Sequence, residues 1–187
     1  MSDCLDHRHD AGCQHLSLPG LDRRRFLQIA ALGGGAALLM PAMVKPARAA
    51  GGTDILLLTC MDYRLMHHVG SYMDGRKLTD KYDHVILAGA SLGVLADKFP
   101  AWGKTFWDHL QVASDLHHIH KVMVIDHRDC GAYKLLLGEG HLASRDAETD
   151  AHKGQLVQLR QAINQSQPKL EVELLLMALD GSVEGIA

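Results

Sequence analysis

The run Lys121-Val122-Met123-Val124-Ile125-Asp126-His127-Arg128-Asp129-Cys130-Gly131 decides the fold class of this chain. Its centre is continuously apolar, without the polar alternation of a half-exposed strand, which is the pattern of a strand buried on both faces of a sheet. It ends in a histidine, a cysteine and a glycine. A second stretch is built the same way: Asp54-Ile55-Leu56-Leu57-Leu58-Thr59 runs into Cys60-Met61-Asp62-Tyr63-Arg64. Residues 84–88 and 172–178 are two further apolar runs of strand length.

Working outward, the segments between these runs have helical spacing. Residues 65–73 predict a short helix that stops at the turn-prone Asp74-Gly75, and residues 77–83 read as a loop. Trp102, Phe106, Leu110 and Ala113 mark one face of a helix over 102–118, with Trp102, Phe106 and Trp107 expected in the core or at a subunit interface. Residues 133–137 give a short helix stopped by Gly138, and Leu156, Leu159 and Ile163 mark an amphipathic helix over 144–165. Apolar strands alternating with helices predict an α/β fold: a mostly parallel, four- to five-stranded sheet flanked by helices. Ligands in such folds sit beyond the carboxyl ends of the strands, where both Cys60 and His127 fall.

The first 49 residues stand apart from that pattern. Asp22-Arg23-Arg24-Arg25-Phe26-Leu27-Gln28 resembles a twin-arginine export signal, and the glycine-interrupted apolar stretch after it leads to Ala47-Arg48-Ala49, a small-x-small cleavage site. The expectation is a signal peptide over 1–49, the α/β domain over 50–187, a periplasmic product, and no membrane span after cleavage. Setting 1–49 aside removes six of the 19 basic and four of the 22 acidic side chains, so 13 against 18 remain, a net charge of −5. With no basic tract, binding to a nucleic-acid backbone is disfavoured. Cys4 and Cys13 lie in the leader, which leaves Cys60 and Cys130.

Those two thiols and His127 are the ligand types of a tetrahedral zinc site with its fourth position open, the composition of catalytic rather than structural zinc. His127 and Cys130 are three residues apart, so one turn can wrap a single ion. Zinc brings the pKa of its water to about 7. Asp62 stands near enough to Cys60 to accept a hydrogen bond from that water or to take the fourth position itself, and Arg64 is placed to pair with it. The same two cysteines also fit a disulfide in an oxidising compartment.

Cys60-x-Asp62-x-Arg64, followed about seventy residues later by His127-x-x-Cys130-Gly131, resembles the paired signature of the β-class carbonic anhydrases. The resemblance implies Cys60, His127 and Cys130 as Zn2+ ligands and Asp62–Arg64 as the catalytic dyad. It also implies carbon dioxide hydrated to bicarbonate by zinc-bound hydroxide, in homodimers or larger even-numbered assemblies. Two departures stand out. Ile86-Leu87-Ala88-Gly89 occupies the place of the family's Arg-Asn-Ala-Gly, and Asp126 stands where glycine is common before the ligand histidine. A hydrolase of a CO2-like molecule such as carbonyl sulfide, and a non-catalytic zinc module, are the competing functions. His67 and His68 are candidates for proton relay.

Overall fold

The computed structural model describes residues 53–187, so the leader and its cleavage site lie outside the described residues. Five strands form one sheet in the order β2-β1-β3-β4-β5. They are β1 (Ile55–Thr59), β2 (Tyr82–Ile86), β3 (Lys121–His127), β4 (Glu171–Met177) and β5 (Val183–Gly185). The first four pair in parallel and β5 runs antiparallel to β4, through the turn at Asp180-Gly181.

The α-helices of the described residues are α1 (Met66–Gly75), α2 (Ser91–Leu95), α3 (Pro100–Val112), α4 (Gly131–Leu137) and α5 (Arg145–Ser166). Strand side chains alternate between faces, and each face of the sheet has its own core. Leu56, Leu58, Val122, Val124 and Leu174 meet Phe106 and Leu110 of α3 and Leu156, Leu159 and Ile163 of α5. Leu57, Met123, Ile125 and Leu175 meet Val69 and Met73 of α1 on the other face. Full burial of one such Leu or Ile side chain is worth about 1.5–3 kcal/mol, so the helix faces on both sides hold the sheet chiefly through these contacts. Ser144 caps α5 by accepting the Ala147 N–H at 3.0 Å, which fixes where that helix starts.

Two elements differ from the sequence reading. β2 begins at Tyr82, inside the expected loop, and ends at Ile86 rather than Ala88. The β1 register sets this: Ile55 faces Tyr82 and Thr59 faces Ile86, after which the chain turns at Gly89 (φ +78°). β2 is an edge strand on which Val85 is the buried residue, not a strand buried throughout. Its Asp83 is accommodated because His117 Nδ1 (2.6 Å) and Thr53 Oγ1 (3.0 Å) meet its carboxylate. The helix over 102–118 is α3 followed by a π-helical turn, Ala113–His117, closed by His118 in the left-handed region (φ +56°).

From β1 the chain steps outward to β2, then crosses back to place β3 on the other side of β1. That reversal opens a crevice at the carboxyl ends of β1 and β3, the place where doubly wound sheets bind ligands.

Candidate metal centre

Cys60 follows the last residue of β1, His127 is the last residue of β3, and Cys130 caps α4. All three are buried, and their ligand atoms lie within 4.8 Å of one another. The two Sγ atoms are 3.9 Å apart and both cysteines are free thiols. Two sulfurs bound tetrahedrally to one zinc ion, at about 2.3 Å each, would stand about 3.8 Å apart. His127 Nδ1–H donates to the Arg128 carbonyl at 2.8 Å, which leaves Nε2 as the free lone pair. That Nε2 is buried without a hydrogen-bond partner. A buried orphan nitrogen beside two sulfurs at this spacing is a donor set that fits a zinc ion.

Backbone amides support both sulfurs. The Gly89 N–H donates to Cys60 Sγ at 3.3 Å, from the turn that the glycine's positive φ makes possible. Amides at the start of α4, from Ala132 and Tyr133, face Cys130. The hydrogen bond from Cys130 lowers the Cys60 thiol to about 4, with His127 and Gly89 acting in the same direction against burial. Cys130 is pushed up, first by that same hydrogen bond to Cys60 and then by burial. Burial disfavours charge on His127, yet the neighbouring Cys60 and Asp62 raise its pKa on balance.

Asp62 and Arg64 form the bidentate pair that planar guanidinium and carboxylate groups favour. Arg64 Nε donates to Oδ1 at 2.9 Å and Nη2 to Oδ2 at 2.7 Å, while the Arg64 amide adds a third bond at 3.0 Å. These hold the Asp62 carboxyl down at about 2. Asp62 Oδ2 lies 3.9 Å from His127 Nε2, so the carboxylate faces the open side of the three ligand atoms.

That side opens into a cavity of about 450 Å³ whose walls are mostly apolar, with Met61, Ala88, Trp102, Leu135 and Leu136 among them. Trp102 therefore faces the site cavity rather than being only a core or interface residue. Ala88 lines it from the segment that departs from the family pattern, while Ile86 points outward. Neither His67 nor His68 lines it; His67 is exposed on α1, and the His68 ring packs against Gly181.

The other departure, Asp126, has a full set of partners. Its carboxylate accepts from the Ser91 amide (3.0 Å), Ser91 Oγ (2.6 Å), Tyr133 Oη (2.6 Å) and His152 Nδ1 (3.0 Å). All four residues are buried, so the carboxylate ties α2, α4 and α5 to the end of β3 directly behind the ligand residues. Tyr133 is raised well above its ordinary value by burial and by the adjacent Asp126. No local motif announces His152 or Ser91; their partner lies 26 and 35 residues away.

Residues 51–187 match the family described as "Putative carbonic anhydrase". The chain belongs to that family. A carbonic-anhydrase-family chain of this sequence is also 42% identical over 131 residues to an uncharacterized protein of Rickettsia conorii, covering 70% of each chain. It is 41% identical, over 70% of this chain and 80% of the other, to one from Rickettsia bellii. Its fold is that of the β-carbonic anhydrases. The β-carbonic anhydrase CafA of Aspergillus fumigatus superposes with a TM-score of 0.51 at 15% identity, covering 87% of this chain and 88% of that one. The β-carbonic anhydrase CcaA gives 0.50 at 12% identity, with 87% and 84% covered. At such identities the family member is a divergent one.

Proposed function

We propose that this protein holds Zn2+ on Cys60, His127 and Cys130 and catalyses the reversible hydration of carbon dioxide to bicarbonate. The observation that carries this reading is the orphan Nε2 of His127, buried beside two sulfurs 3.9 Å apart, with the Asp62 carboxylate on the open side. When bound, zinc supplies the Lewis acidity that brings water's pKa to about 7. Asp62 stays ionised across the neutral range, so its free lone pairs accept a hydrogen bond from the reacting water and orient it. Arg64 keeps that carboxylate in one rotamer. The apolar wall made by Ala88, Trp102 and Leu135 receives a small, neutral, linear substrate without competing for its oxygens.

The same wall favours a second reading, hydrolysis of a less polar CO2-like molecule such as carbonyl sulfide. Ile86 and Leu87 stand where the resemblance places an Arg-Asn pair, and the residues that do line the cavity are apolar apart from the ligand side, with Asp62 the acidic side chain among them. Export of residues 50–187 to the periplasm rests on the twin-arginine-type stretch at 22–28 and the cleavage site at 47–49. Assembly as a homodimer or larger even oligomer is supported by Met61, Tyr63 and Leu135, which are 64%, 84% and 62% exposed around the cavity.

Stopped-flow CO2 hydration on protein of known zinc content tests the proposal. Turnover well above buffer, abolished by Asp62→Asn, is the expected result. A fully zinc-loaded protein that hydrates no CO2 but releases sulfide from carbonyl sulfide would favour the second reading. Inactivity on both would leave a zinc-binding module.

A further inference from the structure

Asp129 occupies the strained corner between β3 and α4. Its backbone stands at φ +56°, a region that an L side chain enters at an energetic cost and keeps only when its surroundings over-determine it. Three partners do so. Its amide N–H donates to Glu148 Oε1 at 2.6 Å, and Glu148 is itself paired with the buried Arg128 at 2.9 Å. Asp129 Oδ1 accepts from Lys134 Nζ at 2.6 Å, one turn along α4. Arg64 takes both remaining acceptors, with Nη1 to Oδ2 at 2.9 Å and Nη2 to the Asp129 carbonyl at 3.1 Å.

A guanidinium is planar and presents its five N–H donors in a rigid fork. Fixing one edge of the Arg64 fork on Asp129 therefore fixes the direction of the other edge, which holds Asp62. The Asp62 carboxylate needs this. It lies 3.9 Å from His127 Nε2, close enough to become the fourth ligand of an ion held there if Arg64 lets go. The Arg64 side chain is one-third exposed, and its guanidinium is hydrogen-bonded to Asp62 and Asp129, so removing Asp129 leaves its hold on Asp62 without the second anchor.

We propose that Asp129, seated by Glu148 and Lys134, is a positioning residue that holds Arg64 on Asp62 and so keeps Asp62 off the metal. The inference rests on the metal reading above and adds a component to it. Cobalt(II) in place of zinc gives a visible spectrum that responds to the fourth ligand, a readout that a purely structural role of Asp129 would leave unmoved.

The test uses the full chain loaded with cobalt(II), as wild type, Asp129→Ala, Asp62→Asn and the double variant Asp62→Asn/Asp129→Ala. Asp129→Ala should change the spectrum as Asp62 enters the metal shell, and the double variant should match Asp62→Asn alone. The zinc form of Asp129→Ala should keep its metal and lose about a hundredfold in CO2 turnover, the scale expected when a reacting group is displaced by about 1 Å. Asp129→Asn, whose side chain tolerates the left-handed backbone, should show the same spectral change in smaller degree and keeps the test open if Asp129→Ala does not fold. Cobalt uptake with a wild-type spectrum in both variants would overturn the positioning role alone. Failure of the wild type to take up cobalt would overturn the metal reading, and the positioning role with it.

Discussion

Two carboxylates flank the three candidate ligands, and they are held in opposite ways. Asp62 looks into the cavity, is gripped on one side by Arg64, and keeps lone pairs free toward the ligand atoms. Asp126 sits behind the same residues and spends its acceptors on four donors from three helices. One is built to meet something that comes and goes. The other is built so that nothing reaches it. A carboxylate's role in this chain is thus set by which of its lone pairs remain free, and closeness to the ligand residues does not distinguish the two.

The comparison can be broken by substitution. The largest effect should come from Cys130→Ser, which removes a thiolate from a three-ligand set: loss of most bound zinc is expected, measured by metal analysis after dialysis. Retained zinc would mean that the ligand assignment is wrong. Asp62→Asn should follow, with zinc content unchanged and CO2 turnover down by about 10²–10⁴-fold, the range for losing a positioned proton acceptor. Asp126→Ala should do the reverse to the two observables. It strands three buried side-chain donors, so a loss of about 3–5 kcal/mol in unfolding free energy is expected by denaturant titration. Turnover per folded, zinc-loaded molecule should change far less than in Asp62→Asn; a collapse to the same level would erase the distinction between the two carboxylates.

Smaller effects sharpen it. Tyr133→Phe removes one of the four donors to Asp126 and should cost about 1 kcal/mol. For Asp62 the folded pKa, about 2, lies below its ordinary value of 3.8. Its pairing with Arg64 therefore stabilises the fold fully above about pH 4 and fades as the pH falls toward 2. Asp62→Asn should lower the stability above about pH 4, neutral pH included, and converge on the wild type as the pH falls toward 2, so that the acid limb in that window flattens. An unaltered acid limb would show that the pairing is not what depresses this carboxyl.

Much of this was legible in the chain before folding. Buried parallel strands declare themselves by unbroken apolar runs, so the positions of β1, β3 and β4 are local properties of 55–59, 121–127 and 171–177 to within a residue. β2 is less legible, because an edge strand can carry Tyr82, Asp83 and His84 and needs only Val85 buried. β5 has three residues and exists because β4 offers it a partner. Among the site residues, Cys60, Asp62, Arg64, His127 and Cys130 are chemically distinctive and lie in two short motifs. Asp129 sits inside one of those motifs without any mark of its link to Arg64, since that link spans 65 residues.

The sequence by itself determined β1, β3 and β4, the residue types of the site and the end of each strand on which they fall. Those follow from hydrophobic periodicity and from ligand chemistry, which act within a few residues. Tertiary structure alone decided that β1 and β3 are neighbours with β2 outside them, which brings Cys60 and Cys130 to 3.9 Å across 70 residues of chain. It also decided which donors each carboxylate meets, and that Trp102 and Leu135 wall the cavity. Strand order and helix placement are set by how whole faces bury against one another, and no single segment contains that information.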